Sequence, residues 1–129
     1  MTVCLDSSAY IEMIRGNRAV AEFLGGCESI VVPAAVVGEL TEGFCATKDE
    51  SKHHVALGRF LDRENVRFRP ADYPVAMRYG FVARQLRRKG TPLPVNDVWI
   101  AATALEEGAS VVSYDHHFDA LDFVPRIAP

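Results

Sequence analysis

The stretch NDVWIAATALEEGASVVSYD, residues 96 to 115, holds two patterns in succession. Ile100, Ala101, Ala104 and Leu105 share a face at helical spacing, and SVVSYD (110–115) is then a β-branched run ending in an acid, as a buried strand would be. A helix feeding a strand is half of an alternating unit, and the rest of the chain repeats it. TVCLD (2–6), SIVVP (29–33) and the weaker VRF (66–68) read as further strands. Between the strands, Tyr10, Ile11 and Ile14, then Val37, Leu40 and Phe44, then Val75, Tyr79, Val82 and Leu86 line helix faces. The alternation predicts an α/β fold, a mostly parallel sheet covered by helices. The polar TKDESKHH (47–54) reads as a helix start or a bend, and GTPLPVN (90–96) as a loop between two helices.

With 129 residues, 49% of them hydrophobic, the chain is expected to form one domain over 1–129. No apolar run approaches the roughly 20 residues of a membrane span, and MTVCLDSSAYIE lacks the pattern of a signal peptide, so a cytoplasmic protein with no membrane partner is expected. Cys4, Cys27 and Cys45 are odd in number and far apart, and read as core or surface thiols. A formal charge of −3 argues against blanket adhesion to nucleic acid but leaves room for a local basic patch.

In parallel sheets ligands gather beyond the carboxyl ends of the strands, where Asp6 and Asp115 each stand. Glu39 follows the second strand by about one helical turn. Asp97 precedes Ile100 and Ala101 by three and four positions, which tilts it toward the buried face. Four carboxylates converging there would repel one another unless a cation intervened, so the set makes chemical sense as a site for a hard divalent ion such as Mg2+ or Mn2+. Each acid also has a plainer reading. Asp6 and Asp97 are good helix caps, Glu39 lies off the apolar stripe of its helix, and Asp115 suits a turn at a strand end.

The set VCLDSS, VVGEL, NDVWIAATAL and VVSYDHHFD resembles the PIN-domain ribonucleases, in particular the VapC-type toxins of toxin–antitoxin pairs. The resemblance covers nearly the whole chain. It implies a PIN-like α/β/α sandwich with a mostly parallel central sheet of four or five strands. It also implies a toxin of a type II toxin–antitoxin system that acts as a Mg2+-dependent endoribonuclease, with Mn2+ able to substitute. The metal-binding and catalytic acids of that family fall on Asp6, Glu39, Asp97 and Asp115, with Ser7 and Ser113 as supporting hydroxyls and Asp119 at the rim. Ser113 stands where the family often has Thr, which keeps the hydroxyl. Asn96 is the other residue of that helix start with an oxygen to offer. The implied partners are an RNA substrate, a cognate antitoxin whose terminal segment lies along a groove of the toxin, and a second copy in a homodimer.

A haloacid-dehalogenase-like phosphatase would need a second Asp where Ser8 stands, and a receiver-like phosphoacceptor would need an acidic pair and a late Lys that do not occur. A catalytically silent, nuclease-like binding module is the alternative that stays open. RQLRRKG (84–90) sets Arg84, Arg87, Arg88 and Lys89 before the loop to Asp97, a candidate RNA-phosphate patch; equally, such cations complement a helix C-terminus that ends at Gly90. Trp99, Tyr114 and Phe118 are candidates for stacking a base, with core favoured for Trp99 and Phe118. The adjacent pairs His53 with His54 and His116 with His117 should diverge and are expected on the surface, the second pair within reach of substrate.

Overall fold

Four strands form at the apolar runs: β1 (Thr2–Leu5), β2 (Ser29–Pro33), β3 (Val66–Arg69) and β4 (Ser110–Val112). A computed structural model describes residues 1–129. A fifth strand, β5 (Arg126–Ile127), pairs beside β4; with two residues it carries no alternation to be read. The sheet runs β3-β2-β1-β4-β5 and every pairing is parallel. The chain winds outward from β1 to β3, then returns to place β4 on the other side of β1. The winding therefore reverses between β1 and β4, the point in such sheets where a crevice opens at the strand carboxyl ends.

The helices are α1 (Ser7–Ile14), α2 (Arg18–Gly25), α3 (Ala34–Phe44), α4 (Glu50–Leu61), α5 (Tyr73–Lys89) and α6 (Val95–Glu107). No helix is long and apolar enough to cross a membrane. α6 is the innermost: Val98, Ile100, Ala101, Ala102, Thr103 and Ala104 are all buried, because small side chains let it lie close to the sheet while α5 covers its outer side. Val75, Val82 and Leu86 of α5 are buried, and the Tyr79 ring packs on Trp99 with centroids 4.2 Å apart. Cys4 and Cys27 are buried free thiols and Cys45 is an exposed one.

Several sequence expectations change. α2, which buries Val20 and Leu24 and is capped by the Asn17 side chain, is too short for its two core contacts to stand out as a stripe. The polar stretch 47–54 divides, with a turn first and α4 starting at Glu50 and burying Leu57 and Phe60. α6 begins at Val95, so the expected loop ends earlier, at Pro94. In α3 Val36 is fully buried and Val37 only partly so, packed against the core, and Ile14 is 42% exposed while Ala9 and Tyr10 are buried. β4 ends at Val112; the Ser113 N–H still donates to the Ile127 carbonyl of β5 at 3.0 Å, and Tyr114 and Asp115 lie beyond the strand.

Glu107 ends α6, where a carboxylate opposes the helix dipole. Arg67 and Arg69 of the edge strand offset this, meeting its oxygens at 2.7 Å and 2.6 Å and holding its carboxyl below the usual range. Arg69 also reaches Asp72, the side-chain cap of α5, at 2.6 Å. Glu107→Gln is expected to lower stability at pH 7 by about 1–2 kcal/mol, allowing for the half-exposed Arg67. Because the folded pKa is depressed, this contribution is present above the unfolded pKa and fades as pH falls through the folded one, so denaturation midpoints of the two proteins should converge on acidification.

Candidate active site

Asp6 occupies the N-cap position of α1, yet its side chain makes no cap bond. Its Oδ2 instead accepts the Ser113 hydroxyl at 2.6 Å and the Ser8 hydroxyl at 2.9 Å. The Ser8 hydroxyl oxygen also accepts from the Tyr114 N–H, and that of Ser113 from the Asp115 N–H. The two serines thus stitch the ends of β1 and β4 together across the switch point, and aim the 4%-exposed Asp6 carboxylate into it. Ser113 was anticipated as a support. Ser8 was not, since its role depends on what faces it from β4; the short polar side chain two residues after Asp6 was the available signal.

Asp97 is the third residue of α6, whose N-cap is Pro94, so the capping explanation for this acid does not hold. Asp97 as a residue is 7% exposed and its Oδ2 lies 2.9 Å from His117 Nδ1. Burial pushes the Asp97 carboxyl up, the charges of Asp115 and Asp6 add to that, and the His117 contact opposes it. Glu39, half-buried on α3, receives the Ser7 hydroxyl at 3.4 Å. Burial raises its carboxyl too, reinforced by Asp6 and Asp97 and eased by bonds from Ser7 and Asn96. Asp115 does two jobs: it caps the 3-10 turn His116–Ala120 by accepting the His117 N–H at 2.9 Å, and it stands 3.2 Å from His117 Nδ1. Turn former and site neighbour are here one side chain.

His117 is exposed, as the sequence suggests, and its ring nevertheless reaches the acidic cluster. The two histidines do diverge: His116 swings out to Asp119 at 3.0 Å, and His117 turns in. Asp97 and Asp115 hold its imidazole above the ordinary histidine range. The signal in the sequence was its place just inside a tight turn opened by Asp115. Glu39, Pro94, Val95, Asn96, Asp97, Asp115 and His117 line a cleft of about 360 Å3. Oxygen donors among which burial and neighbouring acids raise the carboxyls of Glu39 and Asp97 fit a hard divalent cation, which would offset the repulsion these two bear.

Other expected residues lie elsewhere. Asp119 is taken up by Arg126 at 2.8 Å and by His116, which hold its carboxyl down to about 2. Arg84, Arg87, Arg88 and Lys89 are exposed at the end of α5, which closes on Gly90 in the left-handed conformation; Lys89 donates to the Ala120 carbonyl at 2.8 Å. Arg87 lines a second cleft with Leu93, Val95 and Val98, adjoining the acidic one through Val95. Phe118 is fully buried, Trp99 is packed on Tyr79, and the Tyr114 hydroxyl donates to the Pro129 carbonyl at 2.6 Å. His53 and His54 pack against Phe44.

The fold is shared with solved structures. The DNA-bound VapBC of Salmonella typhimurium superposes with a TM-score of 0.85 at 20% identity, covering 98% of this chain and 97% of that one. FitAcB of Neisseria gonorrhoeae gives 0.77 at 27% identity over 100% and 98%. VapC20 of Mycobacterium tuberculosis, a Sarcin-Ricin loop cleaving toxin, gives 0.76 at 15% identity over 98% and 99%. No curated protein matches the sequence significantly. The family model of the PIN domain matches residues 3–124, nearly the whole of the sheet and all six helices, and the chain belongs to the PIN domain family.

Proposed function

We propose that this chain is the toxin of a type II toxin–antitoxin pair, a Mg2+- or Mn2+-dependent endoribonuclease whose site is Asp6, Glu39, Asp97 and Asp115. The observation that supports the reading is that Glu39, Asp97 and Asp115 line one cleft, with the carboxyls of Glu39 and Asp97 pushed up by burial and by the neighbouring Asp6. All four acids are present in the chain, which favours an enzyme over a silent binding module. RNA as substrate draws support from the similarity to VapC20, and an antitoxin partner from the similarity to VapBC complexes.

A divalent ion held by carboxylates supplies an activated water and offsets negative charge on the phosphate. The chain's own contribution is to hold that ion and shield its ligands from reorganisation. Ser8 and Ser113 lock Asp6 in one orientation, Ser7 and Asn96 steady Glu39, and the rigid, buried start of α6 presents Asp97. Arg87, which lines the cleft adjoining the acidic one, supports a role for the basic end of α5 in holding RNA phosphates. A groove bounded by Ile11, Ile14, Phe44 and Thr47, which reaches Ser7 and Glu39, is suited to an antitoxin segment.

With Mg2+ or Mn2+ the purified chain is expected to cut RNA at few sites and DNA poorly, and to stop on chelation. Equal cleavage in excess chelator would rule out the metal mechanism. Replacing Arg87 and Arg88 together by Gln should weaken RNA binding and flatten its salt dependence; an unchanged slope assigns them to the helix end alone. A homodimer is part of the proposal, and a monomeric mass in sedimentation at micromolar concentration would remove it.

A further inference from the structure

His117 is the one nitrogen donor among the clustered oxygens, and its geometry is that of a ligand as much as of a hydrogen-bond partner. Its Nδ1 stands 2.9 Å from Asp97 Oδ2 and 3.2 Å from Asp115 Oδ1. Two donors each about 2.1 Å from a common ion and at right angles to it lie about 3.0 Å apart. One donor atom from each of Asp97, Asp115 and His117 falls within 4.8 Å of the other two, so a single ion can reach all three. The histidine is anchored for this task. Its backbone N–H is bound by Asp115 Oδ1 at 2.9 Å, and the next residue, Phe118, is fully buried, so the ring pivots from a fixed point at the mouth of the cleft. His116 faces away, held by Asp119 and by Arg126 at 3.1 Å.

We propose that His117 Nδ1 is a ligand of the divalent ion, making the site a mixed nitrogen and oxygen donor set that favours Mn2+ over Mg2+. This rests on the reading of the acidic cluster as a divalent-ion site. An imidazole in place of one water or carboxylate oxygen benefits ions later in the first transition series, whereas Mg2+ gains little from nitrogen. The half-exposed ring can exchange its contacts with the two acids for the ion without rebuilding the core, releasing the Nδ1 proton to solvent so that the nitrogen lone pair faces the ion.

The test uses Mn2+ alone as the probe on the full chain. Calorimetry first establishes that one Mn2+ site is filled, and electron spin-echo spectroscopy of the bound Mn2+ then reads nuclear coupling. The wild-type protein is expected to show 14N coupling that converts to 15N coupling on [15N]histidine labelling, which needs no variant to fold. His117→Ala should abolish the coupling and His116→Ala should keep it. His117→Ala should also weaken Mn2+ binding by about tenfold or more, with a smaller loss for Mg2+. Tightly bound Mn2+ without histidine coupling, or coupling that survives in His117→Ala, overturns the proposal while leaving the acidic site standing. Equal losses for both ions would do the same, reducing His117 to a residue that positions Asp97. Failure of Mn2+ to bind at all would overturn this proposal and the metal-site reading together.

Discussion

Asp97→Asn is expected to cut RNA cleavage by at least about two orders of magnitude, a loss of roughly 3 kcal/mol in transition-state stabilisation, while leaving the metal-free fold at least nearly as stable as before. Asn is close to Asp in size and keeps an oxygen for His117 Nδ1. The substitution removes one negative charge from a buried cluster in which Asp6 and Asp115 already raise the Asp97 carboxyl. Relief of that repulsion competes with the loss of a favourable carboxylate near the α6 N-terminus, worth about 0.3–1 kcal/mol, so the net change should stay within about 1 kcal/mol or be stabilising. No cap is lost, since Pro94 holds that position. The pH dependence carries the same sign. A carboxyl whose folded pKa is raised stabilises the fold below its unfolded pKa, and that contribution is lost as pH rises through the folded value. Metal-free wild type should therefore gain stability on mild acidification relative to Asp97→Asn, and its rise in melting temperature on adding Mg2+ should be the larger of the two. A fully active Asp97→Asn protein would sink the mechanism.

Phe118→Ala is expected to be the most damaging single change to stability, lowering the unfolding free energy by about 3–5 kcal/mol. The ring is 0% exposed within the main core cluster, and it anchors the 3-10 turn that presents Asp115 and His117. Phe118→Leu refills most of the volume and should recover the greater part of the loss. Had this ring been a base-stacking platform, Phe118→Ala would weaken RNA binding at little cost in stability. Denaturant titration of the two variants separates these outcomes, and a change below about 1 kcal/mol for Phe118→Ala would refute the core assignment.

Much of the scaffold was legible because parallel strands buried on both faces are written as continuous β-branched runs, as at 29–33 and 110–112. Legibility failed where an element is too short to show a period, as in β5, and was partial in α6, which reads as a helix from one stripe although its buried face is wider than that stripe. It failed again for pairings remote in sequence. The Ser113 hydroxyl reaches Asp6 across 107 positions, and its role was visible only through the family pattern, whereas Ser8 was noticed merely for not being an acid.

The sequence by itself determined the alternation of strands and helices and the residue types at the strand ends, because backbone propensity and side-chain periodicity act over a few residues. Only the tertiary structure decided which charged groups became partners. It turned Glu39 toward Asp6 and Asp97, folded His117 back between Asp97 and Asp115, and consigned Asp119 to Arg126. A charge's partner is set by whatever side chain shares its few ångströms of low-dielectric space, and that neighbour comes from the order in which the strands are laid down across the sheet rather than from the residues on either side.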